Sequence, residues 1–208
     1  MAGLGLVLAA PALAFSALLI KINSRGPVLF KQKRVGQYGR EFTLLKLRTM
    51  TVTNDGPKFT ATNDTRITSV GKILRKTKVD ELPGLWNVLR GDMSFVGPRP
   101  EVPELVDLDD PSWKEILTAL PGITDPVTLR LRNEESLLAS VGDKERFYRE
   151  VLQPFKLRGY VAFVRGKSWR SDIRIIVQTL RAIVLPNTAV PPTAAEMGWP
   201  AAEQNSSV

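Results

Sequence analysis

The segment over residues 80–100 holds the densest group of side chains that could take part in a reaction. It reads DELPGLWNVLRGDMSFVGPRP and begins with two adjacent carboxylates, Asp80 and Glu81. Pro83 suits the first turn of a helix and Gly91 suits the position just past its end, which predicts a helix between them. The carboxylates then lie near a helix N-terminus, where the dipole favours their ionised form and attracts phosphate. An ionised Asp80 could act as a nucleophile or hold a divalent cation.

Arginines around this segment favour a functional site over a structural one. Most Asp-Glu pairs at a helix start only cap the helix. Here the stiff turn Gly97-Pro98-Arg99-Pro100 fixes one guanidinium, and four arginines could converge on phosphate oxygens through paired N–H donors. These four are Arg75, Arg99, Arg130 and Arg132. Taken singly, each of them is more often a solvated surface charge.

Composition narrows the chemistry further. The 208 residues include neither cysteine nor histidine, which excludes disulfides, thiol nucleophiles, zinc clusters and imidazole acids or bases. The sequence has no Walker A loop and no GxGxxG motif. Catalysis would have to use carboxylates, amines, hydroxyls or a bound hard cation. The length allows one main domain, predicted over residues 1–185 and followed by a flexible tail over residues 186–208.

The basic residues are concentrated after an uncharged N-terminal stretch. Residues 1–20 carry no charge, whereas residues 21–48 hold eight basic residues and one acidic residue, nearly the whole net charge of +8. Twenty residues make a helix of about 30 Å, close to the thickness of the hydrocarbon layer. The cations that follow belong on the cytoplasmic side of a membrane, so the bulk of the chain is predicted to face the cytoplasm.

Pro11 divides the apolar stretch into two halves. A proline inside a helix removes one hydrogen bond and favours a bend. A sharp bend would return the chain to the same membrane face, whereas a mild kink would still allow a span, and the residues alone leave both forms open. A cleaved signal peptide fits less well because no basic residues precede the stretch. A buried core helix is the remaining alternative.

The other segments predict an α+β fold that is rich in helices. Two extended runs over residues 28–50, separated by Gly36-Gln37-Tyr38-Gly39, predict a small β-hairpin. Periodicity predicts a helix over residues 70–78, and turn chemistry predicts an exposed loop over residues 51–64. An amphipathic helix over residues 169–185 could lie on a membrane surface or pack on the core.

Together these pieces resemble the bacterial sugar transferases, the monotopic phosphoglycosyl transferases. The resemblance covers roughly residues 1–185 and rests on many motif pieces in one order, which makes it specific. The pieces are the apolar segment with Pro11, Arg25-Gly26-Pro27-Val28, Gln32-Lys33-Arg34-Val35-Gly36, Lys46-Leu47-Arg48-Thr49-Met50, Arg75, Asp80-Glu81-Leu82-Pro83, Asn87-Val88-Leu89, Gly91-Asp92-Met93-Ser94 and Gly97-Pro98-Arg99-Pro100.

The resemblance implies a membrane-associated enzyme that transfers phospho-sugar from a UDP-sugar to a polyprenyl (undecaprenyl) phosphate and releases UMP. This would be the first step in assembling a cell-surface glycan, such as an exopolysaccharide, a lipopolysaccharide or a glycoprotein. The implied location is the bacterial inner membrane, with the lipid bilayer as a partner and the catalytic domain facing the cytoplasm. The implied cofactor is Mg²⁺. The resemblance leaves open whether the protein forms a homodimer.

The same resemblance assigns roles to single residues. Asp80 would be the nucleophile that forms a phosphosugar-aspartyl intermediate, and it would also bind the magnesium. Glu81 would complete the catalytic pair. Pro11 would mark the kink of a re-entrant membrane helix, which is the form that the resemblance favours over a span and that we predict. The implied phosphate- and substrate-binding residues are Arg75, Arg99, Arg132 and Lys46.

The chain departs from the family pattern at several positions. Ala10 stands where a serine usually precedes the bending proline, and the charged residues usual before the apolar segment are missing, which suggests a shortened start. After Pro121-Gly122-Ile123-Thr124 the usual Gly-Trp-Ala-Gln is replaced by Asp125-Pro126-Val127-Thr128, so we expect a different sugar preference. Gly84 replaces a frequent glutamine.

Two other functions stay open on the sequence alone. A non-catalytic membrane-surface module could use the basic hairpin to bind anionic lipid or a protein partner. A nucleic-acid binder is disfavoured, because the positive charge lies next to an apolar anchor and is not accompanied by aromatic side chains that could stack on bases. We therefore expect no nucleic acid partner.

Overall fold

The N-terminal helix α1 spans Ala2–Asn23 and continues through Pro11 without interruption. The computed structural model describes residues 2–52, 60–62, 64–185 and 188–199. Helix α1 is long and apolar enough to cross a membrane, and most of its side chains are exposed. This exposure excludes the buried core helix considered above. Pro11 does not divide α1 into two helices. Re-entry would require the bilayer to bend α1 at this proline, so re-entry stays a prediction.

The basic segment after α1 forms the predicted β-hairpin. Strand β1 (Leu29–Val35) pairs antiparallel with strand β2 (Glu41–Leu47), with Leu29 opposite Leu47. The turn between them depends on Gly39, whose φ of +76° lies in the left-handed region that favours glycine. The hairpin prediction is confirmed.

Two helices pack between α1 and the hairpin. Helix α2 (Ser69–Thr77) ends at Lys78, whose left-handed φ of +59° turns the chain. Helix α3 (Gly84–Arg90) begins one residue after Pro83 and ends at Gly91. Both helices therefore agree with the sequence prediction, and both contact α1.

The amide of Asn87 fixes α3 to the hairpin. This residue is only 2 % exposed. Its Nδ2 donates to the Thr43 carbonyl at 2.8 Å, and its Oδ1 accepts from the Leu45 N–H at 3.2 Å. Because both partners belong to β2, the N-terminus of α3 and the carboxylate pair before it are held beside that strand.

A second, parallel pair of strands carries the turn that holds Arg99. Strand β3 (Ser94–Val96) pairs with strand β4 (Gly122–Thr124). The backbones approach so closely that a Cβ on Gly122 would lie 2.1 Å from the amide nitrogen of Gly97. The sequence did not predict this pair, because three residues are too few to show the alternation typical of a strand.

The main core is built from short helices around a longer one. These helices are α4 (Pro111–Ile116), α5 (Pro126–Arg130), α6 (Glu134–Ala139), α7 (Lys144–Phe147) and α8 (Gln153–Arg165). A π-helical turn over Tyr148–Leu152 joins α7 to α8. The side chains of Leu152 and Tyr160 are fully buried at the centre of this core.

Helix α9 (Trp169–Val184) presents apolar side chains on two sides. Ile175 packs into a cluster with Val96 and Phe163. A stripe on the other side is exposed and consists of Trp169, Ile173, Val177, Leu180 and Val184. One part of α9 therefore packs on the core, and the other part is available to a second surface.

Residues 188–199 belong to the predicted flexible tail, but they pack on the main core. A short helix, α10 (Ala194–Met197), buries Met197, and the Trp199 ring meets the Phe147 ring at 4.7 Å between centroids. The sequence did not predict this packing, because the segment is rich in alanine and proline and has few large apolar side chains. Residues 186–187 and 200–208 of the tail, and most of the loop predicted over residues 51–64, lie outside the described residues.

We expect Gly71→Ala to lower the free energy of unfolding by about 3 kcal/mol, because overpacking against a backbone forces the elements apart. A Cβ at Gly71 would lie 2.0 Å from the carbonyl oxygen of Thr49, whereas one at Gly84 would meet nothing within 4 Å. Gly84→Ala is therefore the matched control and should leave stability unchanged or raise it slightly. Thermal unfolding of the detergent-solubilised protein measures both, and equal effects would contradict the close approach of α2 to Thr49.

Candidate active site

The carboxylate pair lies in a short turn between two helices. Asp80 and Glu81 form, with Val79, a single 3-10 turn that follows Lys78 and precedes α3. Asp80 is 7 % exposed. The predicted position of the pair just before a helix is confirmed. The two carboxylates nevertheless have different surroundings, and these differences separate their chemistry.

The carboxylate of Glu81 is shared by two cations. Its Oε1 accepts from Lys46 Nζ at 3.0 Å and from Arg99 Nη2 at 2.6 Å, and its Oε2 lies 3.4 Å from Arg99 Nη1. Burial alone would raise the pKa of Glu81, but the charges of Arg99 and Lys46 outweigh it and hold that pKa well below 4.5. Glu81 is therefore ionised, and its group of three side chains keeps a net positive charge.

The carboxylate of Asp80 has no comparable partners. Its Oδ1 is buried and has no hydrogen-bond partner among the described residues. Burial, and then the adjacent charge of Glu81, raise the pKa of Asp80; the charges of Lys46, Lys78 and Arg75 act in the opposite direction. We expected the helix dipole to favour the ionised form of Asp80, but the effect of burial is larger and raises its pKa. An oxygen in this state gains most from a cation or from a reacting atom.

The Asp80 carboxylate fits a magnesium ion as a single protein ligand. The described part of the chain contains no cluster of three or more acidic side chains that could hold a metal by itself. Magnesium usually binds one or two carboxylates and completes its octahedron with waters and substrate phosphates. The unpartnered Oδ1 of Asp80 would serve as such a ligand, whereas Glu81 is already occupied by Lys46 and Arg99.

Arg75, in α2, adds to the positive charge that acts on Asp80. Its Nε donates to Thr49 Oγ1 at 2.9 Å, and its Nη1 donates to Glu135 Oε1 at 2.6 Å. Its charge still lowers the pKa of Asp80. Three of the four predicted phosphate-binding residues, Arg75, Arg99 and Lys46, thus act on the carboxylate pair.

Arg130 and Arg132 are directed elsewhere. The Nη2 of Arg130 donates to both carboxylate oxygens of Glu196 in α10 at 2.9 Å. The Nη1 of Arg132 donates to the carbonyl of Ala182 near the end of α9. The predicted convergence of the four arginines is therefore not found for these two.

A buried network behind Arg99 was not predicted from the sequence. Glu101 is 8 % exposed and accepts from Tyr148 Oη at 2.7 Å and from Lys156 Nζ at 3.4 Å. Arg34 Nη1 lies 3.6 Å from the other oxygen of Glu101. The position of Glu101 directly after the Gly-Pro-Arg-Pro turn was the one available signal. Nothing in the spacing of Tyr148 and Lys156 marks them.

The space beside the pair is small. A cavity of about 20 Å³, lined by residues including Arg34, Lys46, Glu81 and Arg99, opens there, which is room for about one water. A diphosphate would therefore have to move the side chains that pair with Glu81. A larger cavity of about 320 Å³ is lined by a different part of the chain that includes Trp113.

The residues that replace the family pattern after β4 have a structural role. Asp125 is fully buried, and its Oδ1 accepts from the Val127 N–H at 2.7 Å and the Thr128 N–H at 2.9 Å. It therefore caps α5. An effect of this segment on sugar preference would have to act through the position of α5, and it stays a prediction.

Comparison with known proteins gives one consistent result. A family model described as "Bacterial sugar transferase" matches residues 1–186. The UDP-glucose:undecaprenyl-phosphate glucose-1-phosphate transferase of Caulobacter vibrioides is 37 % identical over 186 residues, which cover 86 % of this chain and 65 % of the relative. The uncharacterized sugar transferase EpsL of Bacillus subtilis is 32 % identical over 171 residues, 82 % of this chain and 77 % of the relative.

Other relatives are longer than this chain. The UDP-N-acetylgalactosamine-undecaprenyl-phosphate N-acetylgalactosaminephosphotransferase of Aeromonas hydrophila is 47 % identical over 102 residues, which cover 48 % of this chain and 24 % of the relative. The chain thus spans less than two thirds of the length of both the Caulobacter and the Aeromonas relatives.

We expect Glu81→Gln to lower the free energy of unfolding at pH 7 by about 3 kcal/mol, because two largely buried cations lose the charge that compensates them. The folded pKa of Glu81 lies below its ordinary value of 4.5. Its contribution is therefore fully present above about pH 4.5 and is lost as the pH falls through the folded pKa. The gap between wild type and variant should shrink at acid pH.

Denaturant unfolding in detergent at pH 7 and at about pH 3.5 measures this gap. Glu115→Gln is the control, because Glu115 pairs with Arg165 on the surface and should contribute far less. A deficit in Glu81→Gln that is the same at both pH values would show that the ion pairs do not cause it.

Proposed function

This chain belongs to the bacterial sugar transferase family, and we propose that it transfers a sugar phosphate from a UDP-sugar to undecaprenyl phosphate. The observation that carries the proposal is the division between the two carboxylates. Glu81 is paired with Lys46 and Arg99, whereas Asp80 keeps an oxygen with no hydrogen-bond partner in the described part of the chain. The names of the relatives support the substrate classes, since they include a UDP-glucose and a UDP-N-acetylgalactosamine enzyme acting on undecaprenyl phosphate.

The reaction would proceed in two displacement steps at one phosphorus atom. A carboxylate oxygen of Asp80 attacks the sugar-linked phosphorus, the bond from that phosphorus to the bridging oxygen breaks, and UMP leaves with the electron pair. The phosphosugar is then held on Asp80 as an acyl phosphate. A phosphate oxygen of the lipid attacks the same phosphorus, and the electron pair of the broken bond returns to Asp80. Such a covalent intermediate divides one difficult transfer into two easier ones.

The cations of the site would provide placement and charge neutralisation, which are the main requirements of phosphoryl transfer. Lys46 and Arg99 contribute two positive charges against the one negative charge of Glu81. A diphosphate that enters can compete for the same N–H donors. Arg99 is suited to this role because its guanidinium forms paired hydrogen bonds with phosphate oxygens.

Asp80 would also bind magnesium, consistent with its unpartnered oxygen. When bound, the ion neutralises negative charge on the diphosphate and on the departing UMP. Lys46 and Arg75 lower the pKa of Asp80 against the effect of burial. These residues therefore favour the ionised carboxylate that the attack requires.

Exposed apolar surfaces support a location at the inner membrane with the site facing the cytoplasm. Helix α1 exposes most of its length, and α3, directly after the carboxylate pair, exposes Trp86 and Leu89. Contiguous apolar surface of this kind is typical of a membrane contact. The basic residues after α1 favour the cytoplasmic side. We propose that α1 enters and leaves by that side, bent at Pro11 by the bilayer.

A non-catalytic membrane-surface module is the second candidate. It is favoured by the apolar stripe of α9, which is flanked by basic residues such as Arg170 and Arg174. An assay of UMP release distinguishes the two functions. It mixes the purified chain with magnesium, undecaprenyl phosphate and each member of a panel of UDP-sugars. UMP release that depends on one sugar supports the transferase, whereas no UMP with any sugar favours the module.

We expect Asp80→Asn to lower UMP release at least about 1,000-fold, because the amide is not a nucleophile. Flotation with vesicles should be unchanged, since α1 and α9 are intact. Asp109→Asn, in an exposed loop, is the matched control and should keep wild-type turnover. Near wild-type turnover in Asp80→Asn would remove Asp80 from the role of nucleophile.

The re-entrant form of α1 makes a separate prediction. Because the chain lacks cysteine, single cysteines at Leu4 and Arg25 can be labelled with a membrane-impermeant maleimide in intact spheroplasts. Re-entry predicts that neither position reacts until the cells are opened. Labelling of the Leu4 position from outside would mean that α1 spans the membrane.

A further inference from the structure

The backbone that carries Arg99 is anchored on both sides. The Gly97 N–H donates to the Thr124 carbonyl at 3.1 Å, and the Pro98 carbonyl accepts from the Gly122 N–H at 2.9 Å. These bonds fix the segment to β4 before Arg99. After Arg99, the backbone has to be held by other elements, because β3 ends at residue 96.

The hairpin holds the segment after Arg99. Arg34 Nη1 donates to the Pro100 carbonyl at 2.9 Å, and the Val35 N–H donates to the Glu101 carbonyl at 2.9 Å. The same Arg34 lies 3.6 Å from a carboxylate oxygen of Glu101. The end of β1 thus contacts both residues that follow Arg99.

The side chain of Glu101 extends this anchor into the main core. Its Oε1 accepts from Tyr148 Oη at 2.7 Å and from Lys156 Nζ at 3.4 Å. Lys156 belongs to α8, is 5 % exposed, and also donates to Glu134 at 2.9 Å. Glu101 therefore links three elements that are distant in sequence: the hairpin, the turn after β3 and α8.

Stability alone is a weak reason for such a cluster. Buried ion pairs often contribute no more than apolar side chains of similar volume, because the charges lose their hydration. Here burial raises the pKa of Glu101, but the charges of Lys156 and Arg34 prevail and lower it. The carboxylate therefore stays ionised and keeps its full attraction for both cations.

We propose that Glu101, held by Lys156, Tyr148 and Arg34, is a positioning residue that sets where the Arg99 guanidinium stands relative to Glu81 and to the incoming diphosphate. The inference rests on the proposed function, in which Arg99 binds phosphate. Only Pro100 separates Arg99 from Glu101, so a shift at Glu101 passes directly to Arg99. A misplacement of about 1 Å in a catalytic group is enough to lower a rate about 100-fold.

The test compares Glu101→Gln and Tyr148→Phe with wild type. The first removes the charge and keeps the shape; the second removes one hydrogen bond and is the milder change if the first unfolds the protein. Glu115→Gln is the control, because it removes an ion pair with Arg165 on the surface of α4. Unfolding midpoints, amide hydrogen exchange and steady-state kinetics with the UDP-sugar that supports turnover are measured for all of them.

We expect Glu101→Gln to lower kcat/KM for the UDP-sugar about 30- to 100-fold at a temperature where it is fully folded, mainly through a higher KM. Tyr148→Phe should show a smaller change in the same direction, and Glu115→Gln none. The amides of Gly97, Arg99, Glu101 and Val35 should exchange faster in Glu101→Gln, whereas those of α4 should not.

Unchanged kcat/KM in a folded Glu101→Gln would overturn the inference, even if hydrogen exchange near Arg99 became faster. So would losses in kcat/KM that are equal in Tyr148→Phe and Glu115→Gln. Absence of UMP release by wild type with every sugar would be a failure of the proposed function instead. In that case the amide exchange of Gly97, Arg99 and Glu101 tests the anchor by itself, and unchanged exchange in Glu101→Gln would overturn it.

Discussion

One carboxylate, that of Glu81, is the interaction on which the rest of the site depends. It joins Lys46 of the hairpin to Arg99 of the turn after β3, so it ties together two elements that share no strand pairing. Two cations meeting one anion leave a net positive charge in a partly buried place, where electrostatic interactions are stronger than in water. A diphosphate is an anion that can use this charge. Asp80 is the residue next to Glu81 and takes no part in these ion pairs.

The fold places this polar site next to apolar surface. Helix α3 follows the carboxylate pair, exposes Trp86 and Leu89, and contacts α1. A lipid phosphate lies where the bilayer meets water, and a nucleotide sugar is dissolved in the water. A site just before α3 could reach both substrates. The exposed stripe of α9, with its arginines, would add a second contact with anionic lipid.

Local sequence signals predicted the elements that hold the carboxylates, and they failed for contacts made over long distances. The hairpin and α3 were predicted because glycine and proline mark their ends in the sequence. The paired β3 and β4 were missed because each has three residues, and α10 was missed because few apolar side chains mark it. The roles of Asp80 and Glu81 were separated only by the family resemblance and not by local sequence signals, since the physical difference between them depends on Lys46 and Arg99. Likewise, the arginines at positions 130 and 132 resemble phosphate ligands in sequence, yet their partners are Glu196 and the Ala182 carbonyl.

The central claim is that Asp80 forms a covalent bond to the phosphosugar, and mass spectrometry of the trapped enzyme tests it most directly. The protein would be mixed with magnesium and the UDP-sugar that supports turnover, without lipid phosphate, and quenched within the first turnover. The account predicts a mass increase equal to one sugar phosphate, located on the peptide that contains Asp80, and its loss when undecaprenyl phosphate is added. An adduct on another residue, or UMP formed only when the lipid is present and with no adduct, would contradict it.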